Sequence, residues 1–313
     1  MCWDEYWKFL LDDKKLNSKV EEMNEVDLDI NGKYMIEDIC HKIYDEYPDY
    51  YKELQKKRQE LLNIVEEFPG VHLQTSRVKK LDSLLKKVIE KRSKYITSGS
   101  SLYTNINGEN YKNILTDLTG IRLIISYRGS WIELHNKIVE TFPYYKEREA
   151  YNKYTFIPHP KDGSSVIAEI PKVYYAYMDD LSIYKEADVE TYLKENGYRS
   201  VHYVISFQGT YVELQTRTIY DEAWSDFDHN FVYKREYHKS HAALKDMSKV
   251  LNQITIAASE LGEIMKKVYD NELISEFDGD YKVKEGYSLQ LNEISDKIVN
   301  AQLLLDELNK RIV

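Results

Sequence analysis

This chain is poor in the residues that staple or break a fold. Its 313 residues include two cysteines, Cys2 and Cys40, six prolines and twelve glycines. Two thiols cannot build a disulfide framework, so stability has to come from packing, and free thiols in a reducing compartment are expected. Apolar runs are short as well. None approaches the roughly 18 residues needed to cross a bilayer, and the opening MCWDEYWKF has neither the basic flank nor the apolar core of an export signal. The expectation is a cytoplasmic protein with no membrane partner. Positive charge is scarce too: 43 Lys and Arg stand against 53 Asp and Glu, a net charge of −10. That balance excludes a protein that coats nucleic acid by bulk attraction, and any polyanion it binds must meet a local basic patch. Also missing are the Walker-type G-x-x-x-x-G-K-[ST] loop and the protein-kinase motifs. If the chain uses ATP, it does so by another architecture.

What the chain does have comes in a clear order. Ile36, Ile39, Cys40, Ile43 and Tyr44 recur at helical spacing, and Leu54, Leu61, Leu62 and Val65 continue the stripe until Pro69-Gly70 breaks it. Residues 1–70 therefore read as a helical lead-in whose apolar face is packing surface. Charge then reverses. Residues 77–94, RVKKLDSLLKKVIEKRSK, carry eight basic and two acidic side chains, a local balance of +6. Leu81, Leu84, Leu85 and Val88 share one helical face there, with the lysines opposite. Further on, residues 121–127 are nearly all apolar and β-branched, as in a buried central strand, and Asp117 and Arg122 bracket its entry.

Between 143 and 195 two strands are expected, YTFIPHP and VIAEIPKVYYAYM, followed by a charged segment holding Glu186, Asp188 and Glu190. In the next stretch VHYVISF and YVELQT flank Gln208-Gly209, where glycine can take the positive φ of a tight reversal. Glu213, Gln215 and Arg217 point to one side of the second strand and Val212, Leu214 and Thr216 to the other. Such a strand is either a solvent-facing edge or the floor of a polar site. Ala223, Phe227 and Phe231 then form an apolar helix face, which leaves Trp224 and His229 as packing residues or ligands. Two heptad-like stripes end the chain. One runs through Leu244, Met247, Leu251, Ile254, Ala258, Leu261, Met265 and Val268, the other through Leu291, Ile294, Ile298, Ala301, Leu305, Leu308 and Ile312. They predict a helical hairpin with its turn at the acidic residues 276–280, or self-association.

Four segments stand as words in one order: TDLTGIR, ENGYRSVHY, VELQTRT and AWSDFDHNFVYK. Together they resemble the signature of the RelA/SpoT-type (p)ppGpp synthetases over residues 71–235. The resemblance implies an α+β fold, a mixed-sheet nucleotidyltransferase-like core with helices around it. It also implies a 3′-pyrophosphokinase that moves the β,γ-diphosphate of ATP to the ribose 3′-hydroxyl of GDP or GTP and releases AMP. Asp117, Glu213 and Gln215 would be catalytic, with Mg2+ on Asp117 and Glu213. Arg77, Lys79, Ser83, Lys87 and Arg122 would hold ATP. Lys194, Tyr198, Arg199, His202, Arg217 and Glu222 would meet the acceptor nucleotide, Tyr198 by stacking on its base. Glu213 has a second possible duty, taking the proton from the 3′-hydroxyl, which the sequence does not separate from metal binding.

The chain also departs from the pattern. Glu90 stands where an arginine is expected, leaving Lys91 or Arg92 to replace it, and Glu222 stands where compact synthetases read guanine with an asparagine. Acids at 186, 188 and 190 replace the basic residues expected to grip the 5′-phosphates. The expected organisation is an N-terminal helical segment (1–70), a synthetase domain (71–235, with 143–195 an acidic insertion) and a C-terminal helical hairpin or coiled coil (236–313). With no HD hydrolase word before it and no long regulatory tail after it, the resemblance is to a small alarmone synthetase, assembling as a homo-oligomer through helical segments. Two other readings stay open. One is a toxin-type synthetase using the same chemistry on adenine nucleotides or the tRNA 3′ end, with an antitoxin as partner. The other is an inactive synthetase-like binding module.

Overall fold

The chain is seen here as a computed structural model that describes residues 2–26, 35–96, 102–146, 159–177, 179–233, 240–270, 274–277, 280–283 and 288–312. Helices α1 (Trp3–Leu11), α2 (Lys14–Asn24) and α3 (Met35–Val65) lead into β1 (Val71–Val78) and α4 (Leu81–Ile96). A short α5 (Tyr111–Ile114), β2 (Thr119–Ile125) and α6 (Trp131–Thr141) follow, then β3 (Val166–Ile167), β4 (Lys172–Tyr175) and β5 (Glu190–Leu193). The hairpin β6 (Ser200–Phe207) and β7 (Thr210–Thr218) runs straight into α7 (Ile219–Phe227) and a π-helical turn. Last come α8 (His241–Tyr269), the small hairpin β8 (Ile274–Phe277) and β9 (Asp280–Val283), and α9 (Ser288–Ile312). Of the expected strand at 154–160, residues 154–158 lie outside the described residues, and 159 and 160 are not in a strand.

The main sheet has the order β1-β2-β7-β6-β4-β5, with β3 paired to β6. It is mixed, because β2 runs parallel to β7 and β4 parallel to β5, while the other pairs are antiparallel. Its central strands alternate as the sequence reads. Ile121, Leu123, Val201, Tyr203, Val212 and Leu214 all turn to one face, where Leu61 and Val65 of α3 and Trp131, Leu134 and Ile138 of α6 cover them. Each fully buried side chain of this kind contributes about 1.5–3 kcal/mol. Two successive positive φ values, 48° at Gln208 and 73° at Gly209, make the β6–β7 reversal. The glycine was expected in this region and the glutamine was not.

A second core joins Ile36, Ile43, Tyr47 and Leu54 of α3 to Leu84, Leu85, Val88 and Ile89 of α4, with α1 and α2 closing over them. Helix α3 therefore belongs to both cores, and the N-terminal helices brace the segment that follows continuously. The residues called an acidic insertion are likewise built in, since they supply β3, β4 and β5 to the sheet.

At the C-terminal end the hairpin forms, with a seam that uses alternate members of the expected stripe on α9 but is shifted by one residue from it on α8. Val250, Ala257 and Ile264 of α8 pack against Ile294, Ala301 and Leu308 of α9. Met247, Ile254 and Leu261, with Leu291, Ile298 and Leu305, are left between 38% and 55% exposed. A repeat of seven sets the period of a helical seam without saying which row of side chains is covered. Truncating Leu61 to Ala should lower the unfolding free energy by about 2–5 kcal/mol. A urea titration would show this as a fall in midpoint at constant slope over one transition, whereas a separable lead-in would leave the main transition in place.

Candidate active site

Helices cover one face of the sheet, and the other carries the polar side chains. Register sets their rows. Arg77 on β1 lies opposite Gly120 on β2, and Gly120 opposite Glu213 on β7. One step along, Arg122, Gln215, His202 and Lys172 line up across β2, β7, β6 and β4. Gly120 leaves the space between Arg77 and Glu213 open, because a Cβ there would meet nothing nearer than the Glu213 carbonyl at 4.0 Å. Open space above the strand, rather than close approach of two backbones, is what this glycine provides.

Asp117 sits just before β2. One oxygen, Oδ2, takes Lys79 Nζ at 3.1 Å and also Lys87 Nζ. The other, Oδ1, is buried without a hydrogen-bond partner among the described residues. Burial pushes the carboxyl pKa up, but Lys87 and Lys79 outweigh it and hold the group below its usual range. Lys79 is itself fixed through its backbone, whose carbonyl accepts from Tyr47 Oη at 2.5 Å and whose N–H donates to the Leu118 carbonyl at 2.8 Å. Ser83 and Arg77 are exposed beside this cluster. Of the two residues that could replace the missing arginine, Arg92 is buried and its Nη1 donates to the Thr104 and Ile106 carbonyls. Lys91 lies over the Tyr103 ring at 4.5 Å, and burial, Lys87 and Lys94 lower its pKa.

Around Glu213 the hydrogen bonds form a directed chain. Arg217 Nη2 donates to Tyr198 Oη at 3.1 Å, which leaves the Tyr198 proton for His202 Nε2 at 2.9 Å. His202 Nδ1 then carries the proton facing Glu213 Oε1 at 3.2 Å, a tautomer that the network assigns. Gln215 Nε2 donates to Glu213 Oε2 at 2.8 Å, while its Oε1 accepts from Arg122 Nε at 3.2 Å and Arg217 Nη2 at 2.5 Å. Burial raises the Glu213 pKa, but the His202 and Gln215 hydrogen bonds prevail and keep it below the usual range, with Asp117 opposing them. Asp117 lies three residues before Gly120, the residue that faces Glu213 across β2 and β7, and its charge opposes the ionisation of Glu213. Helix α7 starts without a break because Thr218 caps it, accepting from the Asp221 N–H at 3.1 Å. That start puts Glu222 over the arginines, 2.9 Å from Arg122 Nη1 and 3.2 Å from Arg217 Nη1.

The structure sorts the other expected acceptor residues. Lys194 lies over the Tyr174 ring at 4.6 Å, and Tyr174 meets His202 edge-on at 4.7 Å. Arg199 is placed differently from the expectation: it is buried, and its Nε and Nη2 donate to Asp179 at 2.8 and 3.0 Å. Arg217 is also buried and acts below the surface, on Tyr198, Gln215 and Ser225. The acids at 186 and 188 stand beside His135 and Asn136 of α6, on the covered side of the sheet, and do not enter the polar face. Trp224 is packing: its Nε1 donates to the Ser248 carbonyl at 3.0 Å, whereas Phe227 and Phe231 are exposed. Sequence reasoning missed Tyr174 and Asp179. Tyr174 was one of many tyrosines, and nothing near Asp179 in the chain marks its pairing with Arg199.

A divalent cation fits the carboxylate pair. Magnesium takes one or two carboxylates and fills its remaining positions with water and phosphate. Asp117 Oδ1 is an orphaned acceptor, and no group of three or more His, Cys, Asp or Glu ligands exists among the described residues. No helix among those residues is long and apolar enough to cross a membrane.

Residues 76–238 match the family described as the region found in RelA / SpoT proteins. No curated relative matches the chain. Among solved structures, a GTP pyrophosphokinase family protein from Streptococcus pneumoniae is similar at 17% identity and a TM-score of 0.46, over 73% of this chain and 95% of that one. Small alarmone synthetase 1 from Bacillus subtilis gives 19% identity and a TM-score of 0.44, over 72% and 97%.

The lowered carboxyl groups fix the sign of a pH effect. Because the folded pKa values of Asp117 and Glu213 lie below the unfolded ones, their stabilisation is complete above about pH 4.5 and disappears as pH falls through the folded values. Unfolding free energies measured from pH 6 down to about 2.5 should decline, with a shallower decline in the Asp117→Asn, Glu213→Gln double variant. Equal slopes would mean that these two groups do not carry the effect.

Proposed function

Because the chain belongs to the RelA/SpoT family, we propose that it is an ATP:nucleotide 3′-pyrophosphokinase whose acceptor is GDP or GTP. The observation that carries the proposal is a pair of adjoining clusters, Lys79 and Lys87 on Asp117 and Arg122 on the Gln215 that holds Glu213, joined where Gly120, three residues after Asp117, lies opposite Glu213. An inactive binding module has no need of that convergence.

The reaction joins the acceptor 3′-oxygen to the β-phosphorus of ATP and breaks the bond from that phosphorus to the α,β-bridging oxygen, which leaves with AMP. Glu213 is the group to take the 3′-hydroxyl proton: it is ionised, half-buried, and held by His202 and Gln215. Lys79 and Lys87, held together on Asp117, would supply the fixed cations a triphosphate needs, with the exposed Arg77 and Ser83 as further partners. Asp117 and Glu213 would hold Mg2+, which when bound neutralises charge on the phosphate oxygens. Tyr198 and Tyr174 offer ring surface to the acceptor base, and Lys194 offers charge to its phosphates.

We further propose that a second copy of the chain covers the exposed stripe of the C-terminal hairpin. In an antiparallel pair, positions three residues before the facing ones fall on the same side of both helices. Met247, Ile254 and Leu261 thus join Leu291, Ile298 and Leu305 in one apolar strip. Sedimentation of the Ile254→Asp, Ile298→Asp variant should give a smaller folded species than the unaltered chain, and identical sedimentation overturns this assembly.

The test of activity uses γ-labelled ATP and magnesium with GDP, GTP, ADP or deacylated tRNA in separate reactions. Label is expected on GDP or GTP, and Glu213→Gln should reduce transfer at least about 100-fold. Gly120→Val should fold normally, since its side chain enters open space, yet lose transfer by filling the cleft. Label on ADP or tRNA alone keeps the chemistry and replaces the acceptor. Absence of transfer to all four overturns the proposal.

A further inference from the structure

The loop that carries Tyr198 is held from behind by a helix outside the matched family region. Gly197 has φ +88°, and a Cβ built on it would come within 2.6 Å of the Asn252 side chain on α8. Asn252 is buried at 6% exposure although it is polar. Its Nδ2 donates to the Gly197 carbonyl at 3.1 Å, and its Oδ1 accepts from Arg199 Nη1 at 3.3 Å. Arg199 Nη1 also donates to the same Gly197 carbonyl at 2.9 Å. One amide therefore grips both neighbours of Tyr198.

Asp179 holds Arg199 as well, and the Lys194 N–H donates to the Tyr175 carbonyl. Beside Asn252 a cavity of about 410 Å³ opens between the loop, α8 and α9, with Lys194, Asn196, Lys249, Gln253 and Lys297 among its walls. Continuous packing does not fix the loop there, so polar contacts have to. The same face of α8 makes two further staples: Ser248 receives Trp224 Nε1 from α7, and Glu263 Oε2 accepts from the Gly129 N–H at 3.0 Å. Residues 248, 252 and 263 share a helical face, and α9 packs on another part of the helix. Helix α8 is thus a strap across the acceptor half of the sheet.

We propose that Asn252 is a positioning residue for the acceptor nucleotide, acting through Gly197 and Arg199 to hold the Tyr198 ring and the Lys194 end of the loop in binding geometry. This rests on the transfer reading above. Asn252 touches no reacting atom in that reading, and the donor cluster of Lys79, Lys87 and Asp117 lies on other elements. Its effect should fall on one substrate alone.

The experiment compares steady-state kinetics of the full chain with Asn252→Ala and Asn252→Asp. The second variant preserves side-chain shape and an oxygen for Arg199, but turns an oxygen toward the Gly197 carbonyl. Both should raise the KM for GDP or GTP about tenfold, since small displacements of a binding group are costly. The KM for ATP, kcat and Tm should stay near those of the unaltered chain. Ser248→Ala, which leaves the Ser248 carbonyl for Trp224, is the control and should change nothing. If both kinetic constants move together with Tm, or the acceptor KM stays put in both Asn252 variants, the proposal is overturned. Should the unaltered chain transfer to no acceptor, the transfer reading fails. The loop is then judged separately by equilibrium binding of GDP and GTP, where unchanged affinity in both variants overturns it.

Discussion

Charge pairing within the open face is the constraint on which the rest depends. A half-buried cation or carboxylate without a partner costs several kcal/mol, and this sheet gathers many of them. Each has been given a partner from the same face: Lys79 and Lys87 share Asp117, and Arg122 and Arg217 share Glu222. Arg199, deeper, has Asp179. The pairing also explains why so much of the chain is scaffold. Parallel alignment of β2 and β7 sets Gly120 against Glu213, α3 fixes the Lys79 backbone through Tyr47, and α7 begins on a capped Thr218 so that Glu222 reaches the arginines.

On the proposed reading, substrates enter by exchanging partners. Asp117, whose Oδ1 has no partner among the described residues, would hold Mg2+ on the same carboxylate that pairs with Lys79 and Lys87. Lysines released in this way are the cations a triphosphate needs.

The sequence made the strands and their faces legible because alternation over β6 and β7 is strict and the residues with chemistry are concentrated in a few words. Asp117, Glu213, Gln215 and His202 could be named from those words. What joins them could not, because hydrogen-bond direction depends on registers between strands far apart in the chain. Acids at 186, 188 and 190 looked like a change in the acceptor site, yet the chain turns the first two toward α6 and sets only Glu190 beside Lys172. No local signal distinguishes the two faces of a segment that is irregular. In α8 the heptad period was visible, but the covered positions were 250, 257 and 264 instead of their equally spaced neighbours. Asn252 was hidden for the same reason: a single polar residue in an amphipathic helix reads as solvent-facing until the loop it meets is in place.

Base selection follows from which groups remain uncommitted. Glu222, at the position where an asparagine was expected to read the base, faces two arginines, so a base seeking its carboxylate must compete with fixed charges. Stacking on Tyr198 or Tyr174 is tolerant, since every base has a π-face. Discrimination must therefore come from hydrogen-bonding groups that the fold holds still near those rings. Residues 194–198 supply such groups, and their backbone is fixed by the Lys194 N–H on the Tyr175 carbonyl at 2.7 Å and by Asn252 behind Gly197. A helix beyond the family's matched region would in this way share in choosing the acceptor, because it fixes the geometry in which a tolerant surface becomes selective.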